Sequence, residues 1–331
     1  MAILVTGAAG FIGFYLSKAL ADRGEHVLGV DSLTDYYDAS LKTARLAELA
    51  GYSNFTFVNA DIADRIALER AIRGVDIDRI VHLAAQAGVR YSLDNPRAYV
   101  RSNVAGHLEI LELARHLPGF KHLVYASSSS VYGDNDSTPF AETDRVDEPR
   151  SLYAATKRAD ELMSLSYAKL FGIAQTGLRF FTVYGPWGRP DMAYWTFSEA
   201  ILQGRPVRLF GYGEALRDFT YIDDIITGTV AALDRPIDAG ITPPHRIYNL
   251  GNNRPVSVLR FLDVLESLLG RKAERILEPL PPGDVPVTCA NIEAAARDLG
   301  FGPRVDLETG LGRFVEWYLP YRNQVRQSAA G

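Results

Sequence analysis

The sequence predicts an α/β protein whose core is a doubly wound parallel sheet. Two observations predict it. Short apolar runs such as AILVTG (2–7) and HVLGVD (26–31) end in glycine or aspartate, as strands buried on both faces of a parallel sheet do. Segments with helical spacing lie between these runs. Strands that alternate with helices imply right-handed βαβ crossovers with both sheet faces covered. With 331 residues and 47% hydrophobic composition, the chain suits one large α/β unit or two interleaved ones.

The elements follow in order. Residues 2–7 form the first strand, and 11–23 a helix that stops near Gly24. HVLGVD, NFTFVNAD (54–61), RIVHLAA (79–85) and HLVYASS (122–128) repeat the strand theme. A long helix is predicted over 97–117, where Val100, Val104, Leu108 and Leu111 fall at helical spacing. The second half is richer in Pro and Gly, with helices predicted at 195–204, 222–235, 257–270 and 307–318. LRFFTVYG (178–185) and RIYNLGN (246–252) read as strands in the style of the first half. The fold class is therefore a Rossmann-type doubly wound sheet with a smaller, interleaved α/β C-terminal substrate domain. Residues 1–180 form the first domain, with about 220–255 returning to it; 181–325 belong mainly to the second, and 326–331 read as a frayed tail.

Composition excludes several classes. Lys plus Arg total 35 against 40 Asp plus Glu, a net charge of −5, which disfavours a general nucleic-acid binder. No apolar run reaches the roughly 18 residues of a membrane-spanning helix, and no basic region precedes the first apolar run as in a secretory signal. The single cysteine, Cys289, excludes an intramolecular disulfide and a Cys-rich metal site. A cytoplasmic location is expected. His107 and His116 are nine residues apart on one predicted helix, the wrong spacing for one metal face, and no metal is expected.

The first strand runs into Gly7-Ala8-Ala9-Gly10-Phe11-Ile12-Gly13 and then a helix. Glycines let the backbone turn tightly against a pyrophosphate, and the helix N-terminus offers free N–H donors and a positive dipole end. Asp31 ends the second strand about 20 residues past the glycines, where a carboxylate accepts hydrogen bonds from ribose hydroxyls and repels a 2′-phosphate. NAD is thus favoured over NADP. Asp61, after the next strand, is a candidate for the adenine amino group.

Tyr153 and Lys157, four apart in LYAATK, share one face of a predicted helix. A phenol with an ordinary pKa near 10 is no base at neutral pH; a neighbouring ammonium and a positive nicotinamide ring favour the phenolate. Lys157 is also a candidate for the nicotinamide ribose. The run Ser127-Ser128-Ser129-Ser130 sits at the carboxyl end of a strand, the edge where open α/β sheets bind ligands. The run does not say which hydroxyl points inward.

TGAAGFIG, HLAAQAGVRYS, VYASSSSVYG, SLYAATKRADE, TGLRFFTVYGPWGRPDMA and RDFTYIDDI, over residues 6–226, with PPGDVP at 281–286, carry a resemblance. The sequence resembles the extended short-chain dehydrogenase/reductase superfamily and, within it, the nucleotide-sugar epimerases, most of all those acting on UDP-glucuronate. The resemblance places Gly7, Gly10, Gly13, Phe11, Ile12, Asp31, Asp61 and Ile62 around the dinucleotide, with Leu83, Ala84, Ala85, Asn103 and Phe180 also on the cofactor side. It makes Tyr153, Lys157 and Ser128 catalytic, and places Thr182, Arg217 and Asp284 on the sugar nucleotide. Where many relatives have Arg three before that Asp, this chain has Pro281, so one diphosphate contact comes from elsewhere. A homodimer is implied, pairing helices 97–117 and 152–171.

The implied reaction is a hidden redox cycle at C4 of a UDP-sugar. Tyr153 removes the hydroxyl proton, NAD takes the hydride, and the 4-keto sugar turns over before reduction on its other face. With a uronate the intermediate is a β-keto acid, prone to lose CO₂ unless its carboxylate is held near the ring plane. Candidates to hold it are Ser127, Ser128, Ser129, Ser130, Thr182 and Arg189, arginine suiting bidentate carboxylate binding. Arg189 and Arg90 are open to a loop salt bridge or a phosphate contact. A UDP-glucuronate decarboxylase is disfavoured because Ser129 and Ser130 stand where such relatives carry an acid. A UDP-glucose 4-epimerase shares the serine and the Tyr-Lys pair, and a non-catalytic NAD-binding sensor usually lacks that pair. His82 reads as a core residue, and Cys289 as inert. Trp187 and Trp195 are open to the sugar pocket or to core packing.

Overall fold

The computed structural model describes residues 1–330 apart from 136, 239 and 282, with the backbone alone at 328–330. Pro282 of PPGDVP and the terminal Gly331 lie outside the described residues. The first part of the chain runs β1 (Ala2–Thr6), α1 (Phe11–Asp22), β2 (Val27–Asp31), α2 (Ala39–Leu49), β3 (Phe55–Asn59), α3 (Arg65–Ala71) and β4 (Ile77–His82). It continues with α4 (Tyr91–Asp94), α5 (Pro96–Tyr99), a π-helical stretch (Val100–Ala105), α6 (Gly106–His116), β5 (His122–Ser128), α7 (Leu152–Phe171) and β6 (Gln175–Phe180). The remainder is β7 (Thr182–Tyr184), α8 (Ala193–Gln203), β8 (Val207–Phe210), β9 (Leu216–Arg217), β10 (Phe219–Tyr221), α9 (Ile222–Leu233), β11 (His245–Leu250), β12 (Val256–Ser257), α10 (Val258–Leu269), β13 (Arg275–Glu278), α11 (Glu293–Leu299) and α12 (Leu307–Ala330).

Seven parallel strands make one sheet in the order β11-β6-β5-β4-β1-β2-β3. Alternation sets its two faces. Ile3 and Val5 enter one core with Leu16 and Leu20 of α1 and Ile222 and Ile225 of α9. Leu4 enters the other with Ile110 and Leu111 of α6. The strand order reverses between β1 and β4, and the crevice at their carboxyl ends is where such sheets take ligands. Outside the sheet, β7 pairs with β10, β9 with β12 and β8 with β13. α8, α10 and α12 pack around these short pairs.

Helix ends follow their sequence signals. Ser151 caps α7 by accepting from Ala154 N at 3.1 Å, and Gly172 closes it at φ 67. Ser257 caps α10 and Gly270 ends it, as αL glycines do.

Three sequence expectations change. LRFFTVYG is two strands: β6 stops at Phe180, and Thr182–Tyr184 leave the sheet to pair with β10. The helix over 97–117 contains the π-helical stretch, which rotates the inward stripe. Tyr99, Asn103, His107 and Ile110 point in, while Val100 and Leu108 are 49% and 39% exposed. The last predicted helix extends from 307 to 330 rather than ending at 318. Arg322 and Arg326 anchor it on Glu199 at 2.6 and 3.1 Å. Finally, α2, α3, α11, β8 and β13 carry no pattern strong enough to predict.

Candidate active site

A cleft of about 1180 Å³ runs from the β1–α1 turn to the loop around Asp284. Its floor is the glycine turn. Gly7 has φ +72, and a Cβ there would lie 2.8 Å from Ala84 N. A Cβ on Gly13 would lie 2.0 Å from Gly7 O. Only glycine permits this close packing of turn, helix and strand end. Gly10 precedes α1 without a side-chain cap among the described residues, so N–H groups and the positive end of the dipole face the cleft.

Asp31 Oδ2 accepts from Ala9 N at 3.2 Å and Oδ1 from Leu33 N at 2.8 Å. Lys42 Nζ lies 3.8 Å from Asp31; burial draws its ammonium below the ordinary lysine value, against the pull of Asp31. Phe11, Ile12, Ile62, Leu83, Ala84, Ala85 and Phe180 line the same part of the cleft. Asp61 does so too, but one oxygen is held by Arg101 at 2.8 Å and the other by Ala63 N at 2.9 Å.

Asn103 sits beneath this wall rather than on it. It is 1% exposed; its oxygen accepts from Gln86 N at 2.8 Å, and its amide donates to Gln86 O at 3.1 Å and Thr156 Oγ1 at 2.9 Å. These hydrogen bonds brace the loop after β4 against α7.

Tyr153 and Lys157 share one face of α7 and both line the cleft. The edge of Tyr99 meets the Tyr153 ring at 6.0 Å, while Tyr99 OH donates to Ala87 O at 2.9 Å and Gly88 O at 2.5 Å. Lys157 Nζ donates to Ala126 O at 2.9 Å and Asp160 Oδ2 at 3.0 Å.

The four serines separate. Ser127 is buried and its hydroxyl donates to Glu161 at 2.7 Å, while the residue still borders the cleft. Strand alternation puts Ser128 on the opposite face. Ser128 Oγ accepts from Ser130 N at 3.2 Å and Ser130 Oγ at 3.0 Å, and Ser128, Ser129 and Ser130 line the cleft. Behind Ser127, Glu161 pairs with Arg179 at 2.8 Å, both 1% exposed. Arg179, with Ser127 and Arg158, holds the Glu161 carboxyl below its usual range despite burial.

Thr182 faces the same space from β7. Arg189 pairs with Asp191 at 3.0 and 2.5 Å, and Asp191 also accepts from Tyr36 OH at 3.0 Å. Arg189 is thus in the cleft and ion-paired at once. At the far end Arg90 reaches Asp284 at 3.1 Å and lies 4.5 Å over the Phe210 ring. Arg150 donates to Asp284 O at 2.8 Å. Burial and the Arg90 charge lower the Arg217 guanidinium below its ordinary value, with Asp284 opposing. Arg90 and Arg150 therefore bring cationic groups to the region where Pro281 offers none.

Trp187 and Trp195, both partly buried, pack against other aromatic rings. Trp187 contacts Phe14, Trp317 and Tyr321, and Trp195 contacts Phe314, Trp317, Tyr318 and Tyr321. His82 is buried and stacks on His107 at 5.2 Å. Among the described residues no group of three His, Cys, Asp or Glu side chains could hold a metal ion.

Sequence reasoning missed Lys42, Arg45, Tyr36, Asp191, Arg150 and Asp160. Arg45 is fully buried and donates to Ala9 O at 2.9 Å and Gly188 O at 3.1 Å, tying the glycine turn to the loop after β7. Nothing short of the tertiary fold marks it.

The model of the NAD dependent epimerase/dehydratase family matches residues 3–251. UDP-glucuronate 4-epimerase 2 of Arabidopsis thaliana is 49% identical over 335 residues, covering 98% of this chain and 77% of that one. The probable UDP-glucuronate 4-epimerase of Rhizobium meliloti (strain 1021) is 47% identical over 331 residues, covering 96% and 97%. The crystal structure of UDP-glucuronic acid 4-epimerase from Bacillus cereus in complex with UDP-glucuronic acid and NAD superposes with a TM-score of 0.88 at 37% identity, covering 97% of this chain and all of that one.

Proposed function

This chain belongs to the NAD dependent epimerase/dehydratase family, and from that premise we propose that it interconverts UDP-glucuronate and UDP-galacturonate at C4 through a 4-keto sugar. The observation that carries the reading is the meeting, in one cleft, of a glycine cradle, a Tyr-Lys helix face and an arginine cluster. The glycine cradle, which a Cβ would fill, and Asp31 at the ribose end suit NAD. Held there, NAD would supply a hydride acceptor and donor for C4.

Tyr153 takes the O4 proton in the first half and gives it back in the second. Lys157, on the same helix face, favours the phenolate. Ser128, or its neighbour Ser130, shares a hydrogen bond with the reacting oxygen. Arg90 and Arg217 hold the diphosphate, with Asp284 on the ribose, so the sugar turns while its anchor stays. Ser129, Thr182 and Arg189 are the donors for the carboxylate; Arg189 reaches it by exchanging Asp191 for the substrate. No carboxylic acid stands at 129 or 130 to donate the proton that elimination requires.

Residues 1–180 with about 220–255 act as the cofactor unit and 181–325 mainly as the substrate unit. Two copies pair through α5–α6 and α7, where Val100, Leu108, Leu162, Leu170 and Phe171 are exposed, a cluster that favours burial against a partner. The dimer acts in the cytoplasm.

The test is a proton NMR time course of purified protein with UDP-glucuronate and no added NAD. UDP-galacturonate rising to a plateau is expected. UDP-xylose instead makes the protein a decarboxylase. No change, followed by turnover of UDP-glucose, makes it a UDP-glucose 4-epimerase, and silence with both leaves a sensor.

A further inference from the structure

Lys157 has a partner that the reaction above does not use. Asp160, three residues on along α7, accepts from its ammonium at 3.0 Å, and the two side chains are 3% and 1% exposed. The other carboxylate oxygen, Oδ1, is buried and has no hydrogen-bond partner among the described residues. A half-satisfied buried carboxylate is costly, and such groups concentrate where a site sets proton affinity.

The surroundings isolate this pair. From β4 and α6, His82 and His107 face Lys157; burial, then His107 and Lys157, keeps His82 neutral, and burial, then Lys157, brings His107 down to about 3. From β5, Tyr125 is held protonated by burial and the nearby Glu161 and Asp160. On α7 itself, Glu161 is committed to Arg179 of β6, to Ser127 and to Arg158. Arg189 and Tyr99 face Tyr153 from its other sides. The Asp160 carboxyl is raised to about 6, by burial and by Glu161, with Lys157 opposing.

We propose that Asp160 is a positioning residue that screens the Lys157 ammonium and so sets the pH at which Tyr153 releases and recovers its proton. This rests on Tyr153 being the base. A bare ammonium would favour the phenolate so strongly that reprotonating O4 from Tyr153 would be the poorer half of the cycle. A carboxylate against it restores proton affinity, so one phenol serves as base in the first half and acid in the second.

The test compares the pH dependence of kcat for NAD-loaded wild type and Asp160→Asn, which keeps the shape and the acceptor oxygen. Phenolate absorbance is titrated alongside, against Tyr153→Phe. The acid limb is expected to move to lower pH, by about threefold or more in proton affinity. Asp160→Glu, which keeps the charge, should return the limb toward wild type. An unmoved limb in Asp160→Asn, a limb moved to higher pH, or the same displacement in both variants overturns the proposal. If the asparagine variant does not retain NAD, Asp160→Ser is measured in the same way with the same expectation. Wild-type turnover by Tyr153→Phe would instead remove the base assignment beneath it, a result separate from any of these.

Discussion

Arg90 and Asp284, 194 residues apart in sequence, meet at 3.1 Å across the far end of the cleft. The contact joins the loop after β4 to the segment following β13, the two sides of the cleft proposed to anchor the diphosphate. Diphosphate binding is common to substrate and transition state, and its loss raises KM with little change in kcat. Arg90→Ala is expected to raise KM for the UDP-sugar about 10- to 100-fold. Steady-state kinetics checks it; a fall in kcat at unchanged KM would give Arg90 another role.

Tyr153→Phe removes one oxygen and leaves the Lys157 contacts to Ala126 and Asp160 without a stake in it. Turnover should fall by about 10²- to 10⁴-fold, the range of a positioned acid–base group, with NAD still bound. Cofactor released on denaturing the variant, measured beside its kcat, separates chemistry from folding.

Four buried histidines predict acid sensitivity. Burial is the largest cause in each, holding His82 well below its ordinary value, His107 at about 3, and His122 and His245 at about 4. The unfolded chain therefore binds more protons between about 6.5 and 4, so stability is full above that window and is lost as pH falls through it. Asp160, raised to about 6, and Glu142, Asp218 and Asp223, also raised by burial, act in the opposite sense, gaining stability as pH falls through their folded values, but the larger displacements of the four rings dominate. Tm should drop between pH 6.5 and 4.5; a flat Tm across that range would contradict the neutral, buried placement.

Glu199 predicts how α12 is held. Despite burial, Arg322, Tyr318 and Arg326 pull its carboxyl down to about 2. Its folded pKa is depressed, so its contribution is present above about 4.5 and lost as pH falls toward 2. Glu199→Gln should cost about 2 kcal/mol at neutral pH, because it leaves the partly buried Arg322 unpaired. A lowered denaturant midpoint and faster tryptic cleavage after Arg322 would show it; unchanged cleavage would mean that the apolar face of α12 suffices.

Much of this was legible before folding. Strands 2–7, 26–31 and 122–128 sit within two residues of β1, β2 and β5, because a central parallel strand must be apolar on both faces. The glycine cradle and the Tyr-Lys face were legible for a similar reason: their geometry demands particular residues at fixed spacing. What was hidden depends on partners far away in sequence. Ser127 and Ser128 look alike until Glu161 claims one of them. Nothing in the sequence shows that Asn103 braces Gln86 and Thr156. Val100 and Leu108 suggest an inward stripe until the π-helical stretch turns it. Asp160 is an ordinary helix residue until the sheet closes over it.

The sheet ends in β11, whose residues 245–250 form its outermost strand beside β6. A ribosome must therefore translate through residue 250 before that strand is complete. Until then β6 presents a bare parallel edge from which neighbouring nascent chains can template, and the pairing that closes it waits on distant sequence. A product arrested after residue 180 would therefore expose the β6 edge rather than form a closed, smaller sheet.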